Sequence, residues 1–219
     1  MHRAILFDFN GVIVNDEPKH CEALIATLAS YGYPLDREGY YREYLGFDDR
    51  ECFRFSFERM GRTVDATLMA EAIERKAAMY ERAIRSSMEL VPGAAEFVRA
   101  AAAEGYRLAL VSGALRREIE LVLAEADLRQ FFEQVVAAED VTACKPDPQG
   151  YHTARDALGV DPVRCMVIED SLPGLEAARR AGMRCTMLST SHPAQELVTA
   201  DLVWQDLNGR LPRELPWAD

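Results

Sequence analysis

The sequence predicts an α/β fold, with a Rossmann-like parallel sheet core interrupted after its first strand by an all-helical insertion. Three observations predict it. Short apolar runs without polar alternation recur along the chain, as strands covered on both faces require. From residue 90 onward these runs alternate with helical segments, the pattern of a parallel sheet with helices on both faces. Between the first run and that alternation, residues 16–89 show helical texture only. The chain thus divides into a discontinuous core, residues 1–15 and 90–219, and a helical insertion, residues 16–89.

The first strand runs through Ala4, Ile5, Leu6 and Phe7 and ends in Asp8-Phe9-Asn10-Gly11, a turn sequence. In the insertion, Ala23, Leu24, Ala26, Thr27 and Leu28 mark one helix, and Leu68, Ala72, Ile73, Lys76 and Tyr80 mark another. Most of the aromatic residues lie between them, from Tyr31 to Phe57, and read as the insertion's small core rather than a stacking platform. After Val91-Pro92-Gly93, helices are expected at 94–103, 115–126, 149–158 and 172–181, the first and last stopped by Gly105 and Gly182. Strands are expected at 108–111, 135–138, 165–168, 185–188 and 202–204.

Composition narrows the class of function without choosing one. The 219 residues are 49% hydrophobic, and 25 Lys+Arg stand against 36 Asp+Glu, for a formal net charge of −11. Such acidity disfavours nucleic acid and anionic membranes as partners, since both reward basic patches. No apolar run approaches the ~20 residues that span a bilayer. The five cysteines are scattered without Cys-x-x-Cys spacing and read as isolated buried thiols of a cytoplasmic protein. The sequence is compatible with a monomer.

Ligands of open parallel sheets bind beyond the carboxyl ends of the strands. The residues there are Asp8 and Asn10, Ser112-Gly113-Ala114, Lys145-Pro146-Asp147 and Glu169-Asp170-Ser171. Each piece alone has a plain structural reading: a turn dipeptide, a helix N-cap, a surface lysine. Together they put carboxylates, a hydroxyl and a lysine at one rim. Crowded carboxylates repel unless a cation joins them, so Mg²⁺ on Asp8, Asp170 and Glu169 is the chemical reading. A phosphate is then expected among Lys145, the Ser112 hydroxyl and the Gly113 and Ala114 amides, taken to open a helix. Asp8 is the expected nucleophile.

These four segments, in this order, resemble the motifs of the haloacid dehalogenase superfamily. The chain is most similar to its β-phosphoglucomutase and phosphoglycolate phosphatase branch. The resemblance covers essentially the whole chain. It implies a helical cap over an α/β core, Asp8 as nucleophile, Ser112 and Lys145 on the phosphate, and Mg²⁺ on Asp8, Glu169, Asp170 and the Asn10 carbonyl. It also implies that Gly46 and Arg50, in Tyr44-Leu45-Gly46-Phe47-Asp48-Asp49-Arg50, contact the substrate.

One position departs from the family pattern: Asn10 stands where phosphatases and mutases carry the aspartate that serves as general acid/base. An amide cannot transfer that proton, which costs ~10²–10⁴-fold where the transfer matters. Asn10 is either native or engineered. If native, the role is lost or taken by Asp16, Glu17 or His20. The expected function is an Mg²⁺-dependent phosphatase of a small phosphorylated metabolite. The alternatives are a sugar phosphomutase and a catalytically weakened phosphate-ligand binding protein.

Overall fold

The computed structural model describes residues 2–217. Six strands form one parallel sheet: β1 (Ala4–Phe7), β2 (Arg107–Val111), β3 (Gln134–Val136), β4 (Cys165–Glu169), β5 (Arg184–Leu188) and β6 (Leu202–Trp204). Their order is β3-β2-β1-β4-β5-β6. The four residues of β1 are all buried because the strand is central, pairing with β2 on one side and β4 on the other. Its side chains alternate between two apolar layers. Ala4 and Leu6 join the cluster containing Tyr151, Ala154, Leu175 and Ala178. Phe7 meets Phe97 and Phe132 edge-on, at ring centroid distances of 6.2 and 5.8 Å.

Eight α-helices lie among the described residues: α1 (Glu17–Ser30), α2 (Arg37–Glu43), α3 (Asp49–Arg59), α4 (Ala66–Ser86), α5 (Ala94–Ala103), α6 (Arg116–Glu125), α7 (Gln149–Leu158) and α8 (Leu172–Arg180). None is long and apolar enough to cross a membrane. The chain forms two compact units, Met1–Asn15 with Glu89–Asp219, and Asp16–Met88. In the first unit the two connecting segments pair, with the Asn15 amide donating to the Glu89 carbonyl at 2.8 Å and that of Val91 to Ile13 at 3.0 Å.

The helical unit has its own core of Cys21, Leu24, Leu28, Tyr40, Tyr44, Cys52, Phe53, Phe57 and Ala72. The aromatics between α1 and α4 are therefore mostly packing residues, carried by two further helices. Each of these is started by an aspartate cap: Asp36 accepts from the Gly39 amide at 2.7 Å, and Asp48 forms a reciprocal capping box with Glu51.

Two expectations are corrected. The strand expected at 135–138 is Gln134–Val136, because residues 138–140 turn into a short 3₁₀ helix with Asp140 accepting from the Ala137 amide at 2.8 Å. Four cysteines are buried, but Cys144 is exposed, since it lies in the loop that carries Lys145 to the sheet rim.

Candidate active site

The strand order reverses direction between β1 and β4, and such a switch point opens a crevice beyond the strand ends. The Asp8 amide donates to the Ile168 carbonyl at 2.9 Å, so the two chains stay paired one residue past β1. Asp8, Glu169 and Asp170 therefore emerge side by side. They are 8%, 0% and 4% exposed. One carboxylate oxygen from each lies within 4.8 Å of the others.

Lys145 joins them from the loop after β3. Its Nζ donates to Asp8 Oδ1, to Glu169 Oε1 at 2.6 Å and to the Val111 carbonyl at 3.1 Å. It also lies 5.2 Å from the centroid of the Tyr151 ring, whose hydroxyl donates to Glu169 Oε1 at 3.0 Å. Glu169 Oε2 accepts from the Asp170 and Ser171 amides and the Ser171 hydroxyl, each at 2.9 Å. These five donors fill about as many sites as a carboxylate offers. Glu169 thus orients Lys145 and adds charge, leaving Asp8 and Asp170 better placed for direct ligation.

Two glycines exist to make room for these carboxylates. A Cβ on Gly174 would sit 1.8 Å from Glu169 Oε1, and one on Gly11 would sit 1.9 Å from Asp170 Oδ2. Gly11 also has a φ of +71°, which disfavours any other residue.

Three carboxylates against one lysine leave the cluster short of positive charge. Burial raises the Asp8 carboxyl to about 7; Lys145 opposes the rise and Glu169 adds to it. Burial likewise raises Asp170 well above the carboxylate range, reinforced by the charges of Glu169 and Asp8. Glu169 also resists ionisation through burial, but Lys145 and the Ser171 and Asp170 amides outweigh this and hold it low. Burial opposes the charge on Lys145, and Asp8 and Glu169 overcome it, raising that ammonium's pKa. An all-oxygen donor set with excess negative charge fits a hard divalent cation.

Ser112 follows β2 and is 5% exposed, with its amide donating to the Val136 carbonyl at 2.9 Å. The expectation that Gly113 and Ala114 open a helix is corrected. Helix α6 begins at Arg116 after Leu115, and the Ala114 amide turns back onto Ser112 Oγ at 3.0 Å. The side chain of Ser112 closes a local turn there, which inserts a loop between strand and helix. Asn10 lies in the turn after β1 and bridges to Val14.

His20, Gly46 and Arg50 belong to the helical unit. Gly46 is an open turn with φ +88°, and Arg50 is exposed in the first turn of α3. His20 lies in a chain of polar contacts: its Nδ1 is 2.9 Å from Lys76 Nζ, and its Nε2 is 3.3 Å from Asp16 Oδ2. An ammonium can only donate, so the neutral imidazole protonated at Nε2 satisfies both contacts. Lys76 also binds Asp49 Oδ1, and Tyr80 donates to Asp16. Asp16 leaves α1 without a side-chain cap. Glu17 accepts from the Tyr40 hydroxyl at 2.5 Å.

Residues that sequence reasoning missed include Tyr151, Thr190 and Ser191. Tyr151 gave no signal, as it reads as one more buried aromatic on a helix. Thr190 and Ser191 follow β5 and were within reach of the same strand-end rule that found Asp8.

A parallel sheet with a buried acidic cluster and lysine at its switch point defines a hydrolase of the phosphoryl-transfer type. Residues 2–182 match the haloacid dehalogenase-like hydrolase family, and the chain belongs to that family, within its phosphatase and phosphomutase branch. It is 33% identical over 208 residues to validoxylamine A 7'-phosphate phosphatase of Streptomyces hygroscopicus subsp. limoneus, covering 94% of this chain and 95% of that one. It is 28% identical to hexitol phosphatase B of Escherichia coli strain K12, covering 97% and 96%. An Asp-to-Asn mutant of CbbY from Rhodobacter sphaeroides, solved in complex with xylulose-(1,5)bisphosphate, superposes with a TM-score of 0.87 at 28% identity, covering 98% and 99%.

Proposed function

We propose that this protein is an Mg²⁺-dependent phosphatase of a small phosphorylated metabolite. The observation that carries this reading is the buried trio Asp8, Glu169 and Asp170, with Lys145 bonded to the first two. Asp8 and Asp170, with the Asn10 carbonyl, would hold the ion, and Glu169 would add its charge as a ligand or through Lys145. When bound, Mg²⁺ supplies positive charge that offsets repulsion between a carboxylate and a phosphate.

An Asp8 carboxylate oxygen attacks phosphorus as the ester P–O bond breaks, the leaving oxygen takes its proton from solvent water, and an aspartyl-phosphate forms. Water then attacks phosphorus and gives its proton back to solvent, and the bond from phosphorus to the Asp8 oxygen breaks to release phosphate and the carboxylate. Lys145 holds Asp8 in place and neutralises part of the charge that accumulates. Ser112 and the Gly113 amide bind phosphate oxygens. The helical unit contributes His20, Gly46 and Arg50 as substrate contacts. The sugar bisphosphate held by the CbbY mutant supports this class of ligand.

Asn10 shapes the chemistry. Without an acid at that position, leaving groups that need little protonation react best, so aryl and acyl phosphates outrun alkyl phosphates. The test is phosphate release with Mg²⁺ across an ester series of graded leaving-group acidity. A steep dependence is expected, and Asn10→Asp should raise alkyl phosphate turnover ~10²-fold or more. A rate independent of leaving group, unchanged by Asn10→Asp, contradicts this account. Isomer conversion without phosphate release would assign a mutase instead.

A further inference from the structure

We infer that Thr190 and Ser191, on the loop after β5, are positioning residues that tie together the two segments holding the cation. This inference rests on the reading of the acidic cluster as a divalent-cation site. The Ser191 hydroxyl donates to Asp170 Oδ2. The Thr190 hydroxyl donates to the Gly11 carbonyl at 2.7 Å, and lies 3.5 Å from Asp170 Oδ2. A hydroxyl has one proton to give, so Thr190 serves the turn after β1 and Ser191 serves the carboxylate after β4.

The loop is itself anchored, since the Ser189 amide donates to the Trp204 carbonyl of β6 at 2.9 Å. The contact is also tightly packed from the other side. A Cβ on Gly11 would meet Asp170 Oδ2 at 1.9 Å and Ser191 Oγ at 3.2 Å, so the Gly11 backbone, Asp170 and Ser191 converge on one point. Ser191 thereby restrains the rotation of the Asp170 carboxylate that would hold the ion. Thr190 in turn fixes the carbonyl next to that of Asn10. The pair thus sets both the rotation of one ligand and the height of another, the role that outer partners of metal ligands play.

Orienting partners of this kind change metal affinity ~10–100-fold when removed. Isothermal titration of Mg²⁺ into the metal-free chain reads this directly, apart from turnover. Ser191→Ala is expected to weaken Mg²⁺ binding at least tenfold, Thr190→Val less, and Ser191→Thr, which keeps the hydroxyl, to stay near the unmodified protein. Ser191 is exposed, and an unchanged melting temperature of the metal-free Ser191→Ala protein separates lost positioning from lost folding. If the unmodified chain binds Mg²⁺ and Ser191→Ala binds it within twofold as tightly, the inference fails while the cation site stands. If the unmodified chain binds no Mg²⁺, the underlying reading fails and this inference with it. Weak binding in both Ser191→Ala and Ser191→Thr would also overturn it, because the hydroxyl would then not be the cause.

Discussion

Lys145 in the α/β unit and Lys76 in the helical unit are both largely buried and both bonded to an aspartate, yet the groups around them differ in charge. Lys76 shares its protons between Asp49 and the His20 imidazole, while the next carboxylate, Asp16, is met by two neutral donors, His20 and Tyr80. That cluster sets one ammonium against two carboxylates, Asp49 and Asp16, and hydrogen bonds from His20 and Tyr80 carry Asp16. Lys145 instead faces Asp8 and Glu169 with Asp170 beside them, so one cation answers three acids. Buried charge without compensation is costly to hold and marks a place where a ligand completes the balance.

The contrast can be broken by substitution on either side. Asp8→Ala should lower phosphate release by ~10⁴-fold or more, because the proposed nucleophile is lost. The same change should leave the circular dichroism of the protein intact. In the helical unit the consequences are reversed. Lys76→Met leaves the half-buried Asp49 without its cation, and a partly desolvated charge that loses its partner costs ~1–3 kcal/mol. Urea unfolding should show that loss whether or not Mg²⁺ is present. If Lys76→Met instead left stability unchanged, the Lys76–Asp49 pair would not contribute to holding the helical unit together.

The residues that were legible in the sequence share one property. Asp8 and Glu169-Asp170 each interrupt or end an apolar run, and a polar residue at that place follows from strand burial. The switch point between β1 and β4 then brings them together without further information. Asn10 stood out only through the family resemblance, which singles out the residue two past Asp8.

What was not legible depends on side-chain direction. Tyr151 faces Glu169 from α7, but its spacing is that of any core residue. The start of α6 shifted to Arg116 because Ser112 closed its own turn, a local contest between side chain and backbone that spacing does not decide. Ser189-Thr190-Ser191 resembles an ordinary polar loop, and only the paired geometry of Gly11 and Asp170 gives it a role. The split of the aromatic segment into α2 and α3 was available in principle, since Asp48 and Glu51 stand at capping-box spacing.

The smallest expected effect tests the central claim, that the core cluster carries charge the protein does not itself compensate. Asp170→Asn removes a carboxyl that burial and its acidic neighbours make costly to ionise, while keeping an acceptor for Ser191. At pH 8 in EDTA its melting temperature should rise by about 2–4 °C over the unmodified chain, the shift that ~1 kcal/mol produces in a protein of this size. Added Mg²⁺ should stabilise the unmodified protein and leave Asp170→Asn unmoved. A lower melting temperature for Asp170→Asn in EDTA, or an equal response of both proteins to Mg²⁺, would contradict the account.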